Sequence, residues 1–301
     1  MATRTDWTGV GTALVTPFKG NGDIDEAAYR RLARRQVDAG VHILVPCGTT
    51  GEVPTLSDAE KIRLVTIAVE EARGRALVLA GAGGYNTREI IHSAAEFEKL
   101  GANGILSVTP YYNRPTQEGL FQHYRAIAES TRLPIVLYNV PGRTGCNIEP
   151  ATVLRLSAIP NIVGVKEASG NITQIAEICR IVPPEFVVLS GDDALTLPLM
   201  SLGGRGIISV ASNAAPAEMV QLVETIERGD FAAARKLNNQ LMPFMQVNFV
   251  ESSPGPVKFA MAEMGLLEAN YRLPMVPVSD ASAEKIRKIL HGTSWSSMVK
   301  A

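Results

Sequence analysis

N-I-V-G-V-K-E, residues Asn161 to Glu167, is a short apolar run that ends in a lysine and passes into the polar turn A-S-G-N. The β-branched residues Ile162, Val163 and Val165 come without polar alternation, which reads as a strand buried on both faces. Lys166 then stands at the strand's C-terminal end. A solvated lysine is protonated at neutral pH. Burial disfavours the cation, so an amine placed here is a candidate nucleophile for a carbonyl carbon, forming a Schiff base. The plain alternative is a strand-end lysine that snorkels into solvent.

Seven further runs resemble it. G-V-G-T-A-L-V-T starts at Gly9, H-I-L-V-P-C at His42, A-L-V-L-A-G at Ala76 and G-I-L-S-V-T-P at Gly104. P-I-V-L-Y-N starts at Pro134, F-V-V-L-S-G at Phe186 and G-I-I-S-V-A at Gly206. Helix-period segments of roughly ten to eighteen residues lie between them. Ser57 to Glu60 has the capping-box spacing, followed by Ile62, Val65, Ala68, Val69 and Ala72 on one face. Asn86 to Glu89 repeats the spacing before Ile90, Ile91, Ala94 and Phe97. Gly40, Gly74, Gly101 and Gly203 each fall between a helical run and a strand, where a left-handed residue closes a helix. Parallel strands need crossover helices. Eight such units in about 230 residues predict a closed (β/α)8 TIM barrel. An open doubly wound sheet competes, but T-P-F-K-G-N-G-D after the first run lacks its glycine-rich fingerprint.

After Gly229 the β-runs stop. Residues 230–301 read as helices at Phe231 to Asn248, Pro256 to Met264 and Ser282 to His291, punctuated by Pro254, Pro256, Pro274 and Pro277. The expected division is a catalytic barrel over 1–229 and a C-terminal helical domain over 230–301. The chain has 301 residues and a net charge of -1, so no basic face for nucleic acid is expected. No apolar stretch approaches the ~18 residues of a membrane span. M-A-T-R-T-D-W carries an acid and lacks the apolar segment of a signal peptide. Cys47, Cys146 and Cys179 are odd in number and widely spaced, which predicts reduced thiols and a cytoplasmic location.

In a barrel, chemistry gathers at the C-terminal ends of the strands. Those positions carry G-T-T-G-E (Gly48 to Glu52), T-P-Y-Y-N-R-P (Thr109 to Pro115) and Y-N-V-P-G-R-T-G (Tyr138 to Gly145). They also carry Lys166, G-D-D (Gly191 to Asp193) and I-S-V-A-S-N (Ile208 to Asn213). Glycines and threonines offer N–H groups and hydroxyls to a carboxylate. Tyrosines can pass protons, and Arg143 offers a planar fork for a second carboxylate. Around one amine, the set describes addition of a keto acid to a lysine. Taken singly, G-T-T-G could be a tight turn, Tyr111 and Tyr112 packing aromatics, and Arg143 a surface ion-pair partner. The conjunction at one mouth argues otherwise.

Other chemistries fit less well. His42, His92, His123 and His291 form no spaced ligand set, so no metal is expected. G-A-G-G (Gly81 to Gly84) is not a dinucleotide motif, and Leu202 to Gly206 precedes its strand and reads as a turn. Asp192 and Asp193 lack a third carboxylate at a matching strand end. Cys47, read as lying on a strand, is expected to pack.

G-T-T-G-E, Y-Y-N-R-P, Y-N-V-P-G-R-T-G, G-V-K-E-A and S-G-D-D together resemble the dihydrodipicolinate synthase branch of the N-acetylneuraminate lyase superfamily. The likeness runs from about Gly9 to about Pro277 and includes the C-terminal V-K and R-L-P-M-x-P pieces. It implies a (β/α)8 barrel with a helical C-terminal domain, assembled as a homotetramer, a dimer of dimers. It implies an aldolase-type lyase without cofactor that condenses pyruvate with aspartate 4-semialdehyde on the diaminopimelate route to lysine. Lys166 would form the pyruvate imine. Thr49, Tyr138 and Tyr112 would relay protons, Tyr112 coming from the neighbouring subunit. Thr50 would bind the pyruvate carboxylate and Arg143 that of the aldehyde, with Gly191 and Ile208 lending backbone near the imine.

The same superfamily holds aldolases and dehydratases on the same lysine, so fold alone does not choose the substrate. Arg143 after N-V-P-G favours the synthase. The alternatives are another pyruvate-dependent aldolase, such as one acting on 4-hydroxy-2-oxoglutarate, and a catalytically silent barrel acting as a binding module. At the positions matching the lysine-feedback site of sensitive synthases, Asp58, Lys61 and Tyr85 depart from the pattern while Glu89 and Tyr111 remain. A cationic Lys61 would repel a lysine effector, so weak feedback is expected.

Overall fold

Each of the eight apolar runs forms a strand, because its β-branched residues find partners on both faces. The strands are β1 (Gly9–Ala13), β2 (Ile43–Val45), β3 (Leu77–Gly81), β4 (Gly104–Val108), β5 (Ile135–Asn139), β6 (Ile162–Glu167), β7 (Val187–Ser190) and β8 (Gly206–Ser209). They pair in parallel in chain order, and β8 returns to β1, so the sheet closes. The structure, a computed structural model, describes residues 6–292. Residues 1–5 of the N-terminal stretch and 293–301 of the helical extension lie outside the described residues.

The crossovers are α1 (Glu26–Asp38), α2 (Asp58–Ala72), α3 (Thr87–Lys99), α4 (Gln117–Ser130), α5 (Pro141–Thr144), α6 (Pro150–Ser157), α7 (Ile172–Ile181), α8 (Thr196–Ser201) and α9 (Pro216–Glu227). Their boundaries follow capping chemistry. The Ser57 hydroxyl accepts from the Glu60 N–H while the Glu60 carboxylate accepts from the Ser57 N–H, the full reciprocal box. Asn86 caps α3 through the Arg88 N–H, but its amide donates to the Glu89 side chain, so that box is only half formed. Gly40, Gly74, Gly101 and Gly203 all have positive φ, as the αβ junctions require.

Two cores result. Inside the barrel, Ile43, Val45, Leu79, Leu106, Val136, Leu189 and Ile208 fill the lumen, with Trp7 packed against it. A Cβ on Gly104, at the start of β4, would come within 2.8 Å of the Trp7 ring, so Trp7 plugs the N-terminal end of the barrel. Outside, strand side chains meet Leu64, Val65, Ala68, Ile90, Phe97, Tyr124 and Ile127 of the helices. Each fully buried aliphatic side chain contributes about 1.5–3 kcal/mol relative to exposure. The lumen is therefore packed, and open space is left to the C-terminal mouth.

Beyond Gly229 come α10 (Phe231–Val247), α11 (Gly255–Glu263) and α12 (Asp280–Gly292). Helix α10 packs on α9 and α12, and α11 on α12. The segment between α10 and α11 reaches back over the mouth of the barrel, where Phe249 and Ser253 face the site.

Candidate active site

Lys166 and Tyr138 are register partners on β6 and β5, so both side chains leave the sheet on its inner face. Lys166 is only 5% exposed. Its Nζ lies 4.1 Å from the centroid of the Tyr138 ring, over the ring face. Room for the lysine comes from β7. A Cβ on Gly191 would stand 2.6 Å from the Ala168 Cβ and 3.0 Å from the Lys166 Cε. The Gly191 N–H is fixed on the Glu167 carbonyl, 2.8 Å away.

The alternation of β6 sends Glu167 the other way. It is buried and accepts from the Asn139 Nδ2 at 2.9 Å and from the Ser169 N–H at 2.6 Å. Asn139 in turn accepts from the Ile148 N–H. This network ties together the ends of β5 and β6 that carry Tyr138 and Lys166. A second buried carboxylate does the same for β7 and β8. Asp193 accepts from the Ser209 hydroxyl and from the N–H groups of Val210 and Ala211. Burial pushes its carboxyl up to about 6 against those three donors. Asp193 is thus consumed as a brace, and no group of acids or histidines suited to a metal occurs among the described residues.

Thr49 and Thr50 lie in a 3-10 turn, Thr49–Gly51, directly after β2. The turn is pinned from β1's side, where the Thr16 hydroxyl donates to the Gly51 carbonyl at 2.7 Å. Arg143, in the short helix α5, extends over the mouth, and its Nη2 approaches the Ser253 carbonyl at 3.4 Å. Thr49, Thr50, Tyr138, Arg143, Lys166 and Gly191 all line one chamber of about 120 Å³, with Phe249 and Ser253 closing it from the helical extension. Thr49, Tyr138 and Arg143 also face an outer vestibule of about 560 Å³.

Two of the expected residues put no side chain into the chamber. Ile208 is fully buried in the lumen core, and the β8 wall of the chamber is Val210. Tyr112 is 92% exposed with φ 69° and lines neither space. Cys47 corrects one expectation. It follows β2 in a turn with φ 57° rather than lying on the strand. It is buried in the core, its thiol donates to the Lys61 carbonyl, and burial raises it to about 12, so it packs. Lys61, Tyr85, Glu89 and Tyr111 meet on the vestibule wall. The Lys61 ammonium there is held by Asp58 at 2.9 Å, which offsets part of its charge.

Sequence reasoning did not single out Val210, Phe249 and Ser253 as chamber walls. Val210 stood within the quoted I-S-V-A-S-N, whereas Phe249 and Ser253 come from a segment with no strand-end signal.

A closed (β/α)8 barrel whose mouth holds a buried lysine under a tyrosine belongs to the aldolase-type lyases. The chain itself belongs to the dihydrodipicolinate synthetase family, whose profile matches residues 6–293. It is 52% identical over 282 residues to a 4-hydroxy-tetrahydrodipicolinate synthase of Koribacter versatilis, covering 93% of this chain and 94% of that one. It is 51% identical over 275 residues to the enzyme of the same name from Chlorobium chlorochromatii, covering 91% and 93%. The crystal structure of dihydrodipicolinate synthase from Thermotoga maritima superposes with a TM-score of 0.93 at 46% identity, covering 94% of this chain and 97% of that one.

Proposed function

We infer that the protein carries out the 4-hydroxy-tetrahydrodipicolinate synthase reaction, condensing pyruvate with L-aspartate 4-semialdehyde on the diaminopimelate route to lysine. The observation that carries this reading is the single chamber in which Lys166, Tyr138, Thr49, Thr50 and Arg143 meet. An amine attacks the keto carbon of pyruvate, and loss of water leaves an imine. The imine nitrogen then accepts the electron pair released when the adjacent methyl group loses a proton. The resulting enamine carbon attacks the aldehyde, whose oxygen takes a proton as the imine re-forms, and the amino group of the semialdehyde then displaces the Lys166 amine from that imine, closing the ring and freeing the lysine. The reading calls for no metal or organic cofactor, because the imine is its own electron sink.

The roles are those the family resemblance implies, and the positions support most of them. Thr50, on the turn after β2, receives the pyruvate carboxylate beside the imine. Arg143, at the rim, takes the carboxylate of the second substrate through its planar fork. Thr49 and Tyr138 pass protons at the lysine, and a tyrosine supplied by a second subunit, Tyr112, completes the relay. Gly191 and Ile208 contribute backbone beside the imine. The barrel of residues 1–229 thus carries the chemistry, the helical domain of 230–301 closes the chamber, and the working assembly is a cytoplasmic homotetramer built as a dimer of dimers. No described helix is long and apolar enough to cross a membrane.

Borohydride added with pyruvate should fix one pyruvate-derived mass on Lys166 and inactivate the enzyme. Label on another lysine, or none, would remove the mechanism and favour a silent barrel. Faster cleavage of 4-hydroxy-2-oxoglutarate than condensation of the semialdehyde would favour the aldolase instead.

A further inference from the structure

The C-terminal V-K and R-L-P-M-x-P pieces take no part in the chemistry just described, yet both reach the loop after β2. Lys258, on α11, is 0% exposed, and its Nζ lies 2.6 Å from the Glu52 Oε1, 206 residues away in the chain. The same ammonium donates to the Asn270 carbonyl at 2.7 Å and sits 4.5 Å from the Phe18 ring centroid and 4.9 Å from that of Tyr271. Arg272 brings its backbone N–H toward the other Glu52 oxygen, and its guanidinium grips Glu60 at the start of α2 and the Thr55 carbonyl.

Glu52 is an unusual residue for its place. It has φ 56° and ψ 34°, the left-handed region, between the turns Thr49–Gly51 and Val53–Thr55. A glycine would hold that backbone without steric cost. A carboxylate there is held in place by its buried partner. Its N–H closes the threonine turn on the Thr49 carbonyl at 3.0 Å. The position of Thr49 and Thr50 is therefore set from two sides: by Thr16 on β1, and by the Glu52–Lys258 pair from the helical extension. Burial lowers the Lys258 ammonium, and the adjoining Glu52 side chain offsets part of that shift.

We propose that Lys258 is a positioning residue, which through its buried pair with Glu52 holds the Thr49–Thr50 turn in register with Lys166 and so sets the affinity for pyruvate. The inference rests on the assignment of Thr49 and Thr50 to proton relay and carboxylate binding. It makes the helical extension part of the active site and not merely a cover.

The test compares the full-length wild type, Lys258→Met, and the double variant Lys258→Met/Glu52→Gln. Three quantities are read: Tm, the pyruvate concentration giving half-maximal borohydride labelling of Lys166, and steady-state KM and kcat for both substrates. Lys258→Met leaves a buried carboxylate alone, which is strongly destabilising. Removing both charges should bring Tm back toward wild type. The expected result is that the double variant, though folded, still needs at least about tenfold more pyruvate for labelling, because the threonine turn has lost its brace. Its kcat should fall as well, while KM for the semialdehyde stays within about twofold, since Arg143 is held elsewhere. Wild-type pyruvate affinity in the folded double variant would overturn the proposal and leave the pair a stability feature only. If both Lys258 variants fail to fold, Glu52→Ala, which removes the acceptor and leaves the Lys258 ammonium on the Asn270 carbonyl, gives the same comparison, with a pyruvate shift expected and its absence decisive. Failure of the wild type itself to label with pyruvate would instead remove the functional reading beneath.

Discussion

At Gly191 a hydrogen in place of a side chain decides whether Lys166 has room. The lysine could turn aside from an added methyl group, but the Ala168 Cβ at 2.6 Å is fixed directly by the backbone after β6 and cannot. Gly191→Ala should therefore shift the end of β6 against β7. Overpacking of this kind costs about 1–3 kcal/mol, so the protein should still fold. Catalysis should suffer more, since a small misplacement of a nucleophile is felt directly in the rate. A fall in kcat/KM of at least roughly tenfold is expected, with borohydride labelling of Lys166 slowed in parallel. A variant that labels and turns over like wild type would show that the close approach has no catalytic meaning.

Helix α2 and the loop before it form the element through which the C-terminal region grips the barrel. Glu60 serves there twice, as the N3 residue that completes the capping box and as the partner of Arg272. The Arg272 guanidinium holds its carboxyl down to about 2, from an ordinary 4.5. The folded state thus binds its proton more weakly than the unfolded chain does. The stabilisation is fully present above about pH 4.5 and is lost as pH falls toward 2. Taken whole, the shift corresponds to roughly 3 kcal/mol. Glu60 is 27% exposed, and solvent screening reduces this to about 1–2 kcal/mol. Glu60→Gln keeps a capping acceptor and should be less stable than wild type by that amount at pH 7. Urea midpoints measured at equal subunit concentration should draw together between pH 5 and pH 3. A gap that stays constant with pH would mean that the carboxylate charge is not the source.

The whole molecule enters through Tyr112. A phenol that is 92% exposed on the loop after β4, with φ 69°, lines neither the chamber nor the vestibule of its own barrel. The proposed site shared with a second subunit would give it a role. Tyr112→Phe removes the proton and should cost about 10²–10⁴-fold in rate, and Lys166→Ala should remove essentially all activity. Refolding the two inactive variants together in equal amounts should restore about one quarter of wild-type activity. About half the dimers are then mixed, and in each mixed dimer one site has both residues and the other neither. Activity that stays at the level of the separate variants, with subunit exchange confirmed by mass, would place Tyr112 outside the shared site.

The eight strands and the helices between them could be read directly from the chain, because burial on both faces imposes continuous apolar runs and capping imposes spaced polar residues. For the same reason Lys166, Tyr138, Thr49, Thr50 and Arg143 could be named in advance: barrel chemistry sits at strand ends, and strand ends are local features. What no local pattern contains is contact between distant segments. The packing of Gly191 against Lys166 needs the register of β6 with β7. The bracing of β8 by Asp193, of the threonine turn by Lys258, and of the chamber by Phe249 and Ser253 each joins parts that only tertiary folding brings together. Glu52 and Lys258 stood in quoted motifs, but a charged pair with no solvent exposure becomes visible only once both have been withdrawn from water. The sequence by itself determined the barrel and the strand-end residues that meet in its chamber. The tertiary structure decided which groups hold them still, because positioning is a matter of long-range packing and pairing that chain-local chemistry does not encode.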